Sequence, residues 1–213
     1  GPAAERVFND VVRYAGDKVA AVAAETEEIA RQALKLIRVE YQALPAVFDP
    51  EEALQPDAYP IYPGGNLVKN SVTHCGDVDA ALARAEHVIE HYTKTAMVHH
   101  GAIEPHLCVA YWSREDDLFV WEPQRAPFRM QIMLSKIFCV PYSKVHVHGQ
   151  IIGGTFGSKE GVMLEPVALM LSRKTGRYVK MRYNRKECIT STFTRHSMKM
   201  YTRLGVTADG VIT

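Results

Sequence analysis

Three glycines within five residues, in Ile151-Ile152-Gly153-Gly154-Thr155-Phe156-Gly157-Ser158-Lys159-Glu160, constrain this chain more than any other segment. With no Cβ in the way, main-chain N–H groups in such a loop can close on an anionic or oxo ligand. Val145 and Val147 predict a strand leading into the loop, and Leu164 to Arg173 predict a helix leaving it. Strand, loop and helix is an order that builds ligand sites. Two familiar glycine-rich loops do not fit. A Walker loop requires G-x-x-x-x-G-K-[ST], and here Ser158 separates Gly157 from Lys159, with Glu160 where a magnesium-binding hydroxyl should stand. A dinucleotide or kinase loop requires G-x-G-x-x-G, and Ile152 occupies the first glycine position. On the glycines alone, a tight turn without a ligand stays open.

Around this loop the patterning predicts a mixed α+β chain. Val11 to Tyr14 and Lys18 to Ala24 are predicted as short strands about Gly16-Asp17. Thr26 is the expected N-cap of a helix with Glu27 and Glu28 in its first turn and an apolar stripe of Ala30, Ala33, Leu34 and Ile37. Residues 49–65 gather four prolines and Gly64-Gly65 and are read as a linker holding a domain boundary near residue 60. Beyond it, Asp77 is expected to cap a short helix, residues 86–96 to form a strand, and Leu107 to Trp112 with Leu118 to Trp121 to form a hairpin. Pro127 should open a helix reaching Phe138, whose Met130, Met133, Leu134 and Ile137 suit core packing better than a sulfur-rich binding surface. Tyr178 to Tyr183 and Met198 to Val206 complete the strands. Ala208-Asp209-Gly210 is a turn after which the native polypeptide is expected to continue past Thr213. Gly1 to Ala4 are set aside as a cloning remnant.

Charge narrows the partner classes. Lys and Arg number 25 against 24 Asp and Glu, a net charge of +1 with no long single-sign run, so a small molecule is the expected ligand, not nucleic acid or a membrane surface. No apolar stretch is long enough to span a bilayer and no secretory leader is recognisable, which reads as cytoplasmic. Cys75, Cys108, Cys139 and Cys188 are scattered, without the C-x-x-C pairing of zinc or iron–sulfur sites, and read as reduced structural thiols packed as small hydrophobes. His87 with His91, and His146 with His148, could each share a face, but neither pair has a third ligand at a usual spacing.

The loop's G-G-x-F-G-x-K pattern does not stand alone. Val12-Arg13-Tyr14-Ala15-Gly16-Asp17-Lys18-Val19-Ala20-Ala21-Val22 and Val39-Glu40-Tyr41-Gln42-Ala43-Leu44-Pro45-Ala46-Val47 precede it, as do Ile103-Glu104-Pro105-His106 and Gln124 to Arg129. Tyr183-Asn184-Arg185-Lys186-Glu187 follows. In this set and order, over nearly the whole chain, they resemble the molybdopterin-binding large subunits of the molybdenum hydroxylases, the xanthine dehydrogenase and aldehyde oxidase family.

That resemblance implies the end of an α/β hammerhead domain, residues 5–60, followed by the first part of a molybdenum-cofactor-binding domain, residues 61–213, with mixed sheets and flanking helices. It implies a molybdenum–molybdopterin cofactor held without any direct side-chain metal ligand, approached by Gly153, Gly154, Thr155, Phe156 and Gly157. A glutamine in the Q-x-P-x-R region would hydrogen-bond a metal oxo group. Gln124 has that chemistry, whereas counting back from Pro127 gives Arg125. Glu160 matches a substrate-binding glutamate of purine hydroxylases; as a bland alternative, it complements the dipole of the next helix. The implied reaction oxidises a purine-like N-heterocycle or an aldehyde with water as oxygen source. Its general base is expected downstream, so no catalytic residue is assigned here. [2Fe–2S] clusters and FAD are expected on partner subunits or other domains of an oligomeric assembly. A non-catalytic binding or assembly domain that keeps the fold without molybdenum is the alternative.

Overall fold

The computed structural model describes residues 7–213; Gly1 to Ala4 lie outside the described residues. In chain order the elements are α1 (Glu27–Leu34), α2 (Val78–Arg84), β1 (His87–Thr95), β2 (Leu107–Trp112), β3 (Leu118–Glu122) and α3 (Pro127–Phe138). β4 (Val145–Gly149), α4 (Glu165–Thr175), β5 (Val179–Arg182), α5 (Arg185–Ser191) and β6 (Met198–Val206) complete them. They fall into two units, one of residues up to Val39 with Val98–Arg195, the other of Glu40–Met97 with His196–Thr213.

The first unit is built on a four-stranded sheet in the order β4-β3-β2-β5. β2 pairs antiparallel with β3 and β5, while β3 pairs parallel with β4. Parallel neighbours need a crossover, and α3 supplies it, packed on β4. Period-two alternation decides the faces. Cys108, Ala110, Trp112, Leu118, Val120 and Val145 turn inward to meet Met130 and Leu134 of α3 and Leu164, Ala168 and Leu169 at α4. On the opposite face His146 stacks on Phe119 with ring centroids 4.7 Å apart, and His148 on Trp121 at 5.2 Å. The two histidines share a face as expected, and both are spent on aromatic stacking. Ser172 locks α4 to the sheet: its Oγ accepts from the Trp112 N–H at 2.9 Å and donates to the Arg177 carbonyl at 2.6 Å.

In the second unit β1 and β6 form an antiparallel pair, with α2 against β6. Asp77 caps α2 by accepting from the Ala80 N–H at 3.0 Å. The turn at 207–210 closes with a 3.0 Å bond from the Gly210 N–H to the Thr207 carbonyl.

Four expectations change. The runs at 11–14 and 18–24 carry no ladder, because a strand needs a neighbouring main chain and no described residue supplies one. α1 forms where expected, with Thr26 accepting from the Ile29 N–H, yet none of its residues is buried. Residues 49–65 contain one 3-10 turn (Glu52–Leu54) and are not slack. Asn66 accepts from the Ile61 N–H and donates to the carbonyls of Ala53 and Tyr59, replacing a sheet or helix as the holder of that backbone. Of the four thiols, all free, Cys108 and Cys188 are buried but Cys75 and Cys139 are exposed. Cys139 caps α3 in the left-handed region at φ 54°, where the chain turns out of the core.

Candidate functional site

Parallel pairing sets the carboxyl ends of β3 and β4 side by side, and the Gln150 N–H donates to the Glu122 carbonyl at 2.8 Å. Ligands of open α/β sheets bind beyond such ends. Gln124 follows β3 and the glycine-rich loop follows β4, so one register decision brings both to the same place. Glu104 clips the loop in position. Its N–H donates to the Gly153 carbonyl at 3.3 Å, its carboxylate accepts from the Gly153 N–H at 2.8 Å, and the same carboxylate pairs with buried Lys159. Burial acts to raise the Glu104 carboxyl, but the bonds from Lys159 and Gly153 outweigh it and hold it below the usual carboxylate value. The Arg125 N–H donates to the Lys159 carbonyl at 3.1 Å.

A second group of contacts brings in the Tyr183–Glu187 stretch. The Tyr183 N–H donates to the His106 carbonyl at 2.9 Å, and Arg185 donates to the carbonyls of Ala102 and Ile103, each at 2.6 Å. Asn184 and Glu187 form a reciprocal capping box that starts α5 and so aims Arg185. Four of the singled-out stretches therefore meet in one place: Ile103 to His106, Gln124 to Arg129, the loop, and Tyr183 to Glu187.

The loop owes its shape to positive φ at Gly154 (99°), Phe156 (50°) and Gly157 (94°). Ser158 returns its N–H and its hydroxyl to the Thr155 carbonyl at 2.9 and 2.8 Å. Among the described residues, the N–H groups of Gly154, Thr155, Phe156 and Gly157 form no hydrogen bond. Four consecutive unspent donors are available to an anionic or oxygen-rich group. Phe156 is 73% exposed, and a non-glycine residue in the left-handed region costs about 1–2 kcal/mol, so the loop holds it there against both preferences.

Gln124 and Arg125 part company. Gln124 is 5% exposed, and its Oε1 accepts from the Ala126 N–H at 3.2 Å, which leaves its NH2 as the donating end. Arg125 turns outward and pairs with Glu160. α4 begins five residues after Glu160, so the helix-dipole reading of that carboxylate is corrected; its partner is a guanidinium, not a helix end.

Beneath Gln124 lie three buried groups, of which only His106 was singled out from the sequence. Glu122 and Glu165 are both buried and line one small cavity. Burial, then the charge of Glu165, pushes Glu122 up to about 11. His106 is pulled down by burial, against the Ser158 carbonyl that its Nε2 meets at 3.0 Å. Glu122 did have a signal: it continues the inward alternation of Leu118 and Val120, which places a carboxylate on a buried face.

The sequence matches the family described as molybdopterin cofactor-binding domain over residues 61–213, and the aldehyde oxidase and xanthine dehydrogenase a/b hammerhead domain over residues 2–45. It is 33% identical over 202 residues to the xanthine dehydrogenase molybdenum-binding subunit of Escherichia coli O157:H7, covering 94% of this chain and 27% of that protein. It is also 33% identical over 204 residues to the nicotinate dehydrogenase large molybdopterin subunit of Eubacterium barkeri, covering 96% of this chain and 48% of that protein. The fold resembles quinoline 2-oxidoreductase from Pseudomonas putida 86 with a TM-score of 0.86 and 27% identity, over 97% of this chain and 27% of that one. The chain thus spans about a quarter to a half of the length of these proteins. Among the described residues no helix is long and apolar enough to cross a membrane.

Proposed function

This chain belongs to the molybdopterin cofactor-binding family of the xanthine dehydrogenases and aldehyde oxidases, and we propose that it forms part of the cofactor-holding core of a molybdopterin-dependent hydroxylase. The observation that carries the reading is the run of four unspent N–H groups from Gly154 to Gly157, clipped to the Gln124 segment through Glu104 and Lys159. Donors without a fixed positive charge suit an oxygen-rich, anionic group, and no side chain need ligate the metal.

Gly153, Gly154, Thr155, Phe156 and Gly157 hold the group by main-chain contact, and Gln124 offers its NH2 to an oxo acceptor. Gln124 is preferred to Arg125 because its amide is buried and oriented, while Arg125 is engaged by Glu160. When bound, the cofactor supplies a centre that accepts the two electrons of substrate oxidation. In this reading Glu160 exchanges its ion pair with Arg125 for a purine-like N-heterocycle; an aldehyde is the other substrate class. The general base lies outside this chain, and the oxygen inserted comes from water. Residues 5–60 are hammerhead-like and 61–213 begin the cofactor domain. The [2Fe–2S] clusters and FAD reside on other domains or partner subunits, in a cytoplasmic oligomer.

The test is elemental analysis of the complete native polypeptide with its co-purifying subunits. About one molybdenum per chain is expected. None, from a host that makes the cofactor, would overturn the reading in favour of a non-catalytic relative.

A further inference from the structure

The polar groups beneath Gln124 form a chain with one gap. His106 Nε2 meets a carbonyl and so must donate, which leaves Nδ1 of the neutral ring as an acceptor. That Nδ1 is buried without a partner, and so is Oε1 of Glu122. His106 is 6% exposed and Glu122 3%, and both line a cavity of about 10 Å³ together with Gln124, Lys159 and Glu165. The space is about that of one water.

We propose that a single internal water occupies this cavity, donating to His106 Nδ1 and Glu122 Oε1, and that Glu122 so held is a positioning residue for the Gln124 carboxamide. Both orphaned atoms accept and a water carries two donors, so the stoichiometry closes. A cation is disfavoured because the Lys159 side chain lines the same space. Glu122 lines this cavity side by side with Gln124 and Glu165. The Gln124 carbonyl oxygen faces the Ala126 N–H at 3.2 Å, so a flipped amide would set donor against donor there. The end of the amide turned away from Ala126 is its NH2, a donor that the Glu122 carboxyl in the same cavity can accept.

This inference rests on the proposed role of Gln124, and its test separates the two. The complete parent protein is crystallised at high resolution, and molybdenum and pterin per chain are measured after gel filtration for Glu122→Met, Glu122→Gln and Gln124→Ala. Expected are water density within hydrogen-bond distance of both atoms in the unsubstituted protein, about tenfold weaker cofactor retention in Glu122→Met, and restored retention in Glu122→Gln. An empty cavity, or a direct bond between His106 and Glu122, overturns the water. Full retention in Glu122→Met beside a loss in Gln124→Ala overturns the positioning role. Full retention in Gln124→Ala overturns the cofactor reading of that residue, while the density still decides the water.

Discussion

Removing either partner of the Glu104–Lys159 pair should not have the same effect. The Lys159 side chain is 2% exposed and that of Glu104 is 26% exposed. Glu104→Ala leaves a buried ammonium without its counter-ion, the situation that destabilises by about 3–5 kcal/mol. Lys159→Met leaves a carboxylate that water reaches and that still accepts from the Gly153 N–H at 2.8 Å, for which a loss of about 1–2 kcal/mol is expected. With a urea m-value of about 2 kcal/mol/M, the difference of about 2 kcal/mol separates the two unfolding midpoints by about 1 M. The sign with pH follows from Glu104. Its folded value lies below the ordinary 4.5, so the pair's contribution is present above that pH and is lost as pH falls through the folded value. Urea unfolding at neutral and acid pH measures both effects. Equal losses in the two variants, or a larger loss in Lys159→Met, would refute the argument from unequal burial.

Other outcomes follow from single contacts. Ser172→Ala removes the acceptor of the buried Trp112 N–H and should lower stability by about 1–3 kcal/mol in urea unfolding, with Ser172→Thr less informative because its extra methyl must fit the core. Leu134→Ala, at a fully buried position of α3, should lose about 2–5 kcal/mol, read as a reduced midpoint at unchanged m-value. Burial and the charge of Glu165 raise Glu122 well above its ordinary 4.5, so the folded state holds its proton more tightly and stability should decline as pH rises above that value. Glu122→Gln should flatten that limb, and an unchanged slope would show that Glu122 is not its source. In the parent enzyme, Glu160→Ala should reduce purine turnover more than aldehyde turnover; equal reduction would remove Glu160 from substrate recognition.

Local chemistry was readable where the responsible atoms are close in sequence. Thr26, Asp77 and Pro127 announce helix starts because a cap acts on N–H groups two or three residues away or on the first turn itself. Strand alternation in β2 and β3 follows from a period of two, and β6 forms over the residues expected of it. The loop's glycines announced an unusual backbone because positive φ is a property of single residues. The stretch Tyr183 to Glu187 is read only as part of a family pattern, and the helix that its capping box starts is not predicted.

What only the tertiary structure decided depends on groups distant in the chain. Whether 11–14 and 18–24 become strands turns on a neighbouring main chain that no local pattern encodes. Gln124 and Arg125 are neighbours that no local pattern sets in different surroundings; the structure buries the Gln124 side chain and pairs the Arg125 guanidinium with Glu160. Glu122 and Glu165 lie 43 positions apart, and although strand alternation points Glu122 inward, nothing local brings Glu165 to it; the sheet and α4 enclose them together. Sequence determined which backbone shapes and which donors were present; packing determined which of them were dry, and the dielectric that burial creates is what turns a carboxylate into a hydrogen-bond donor.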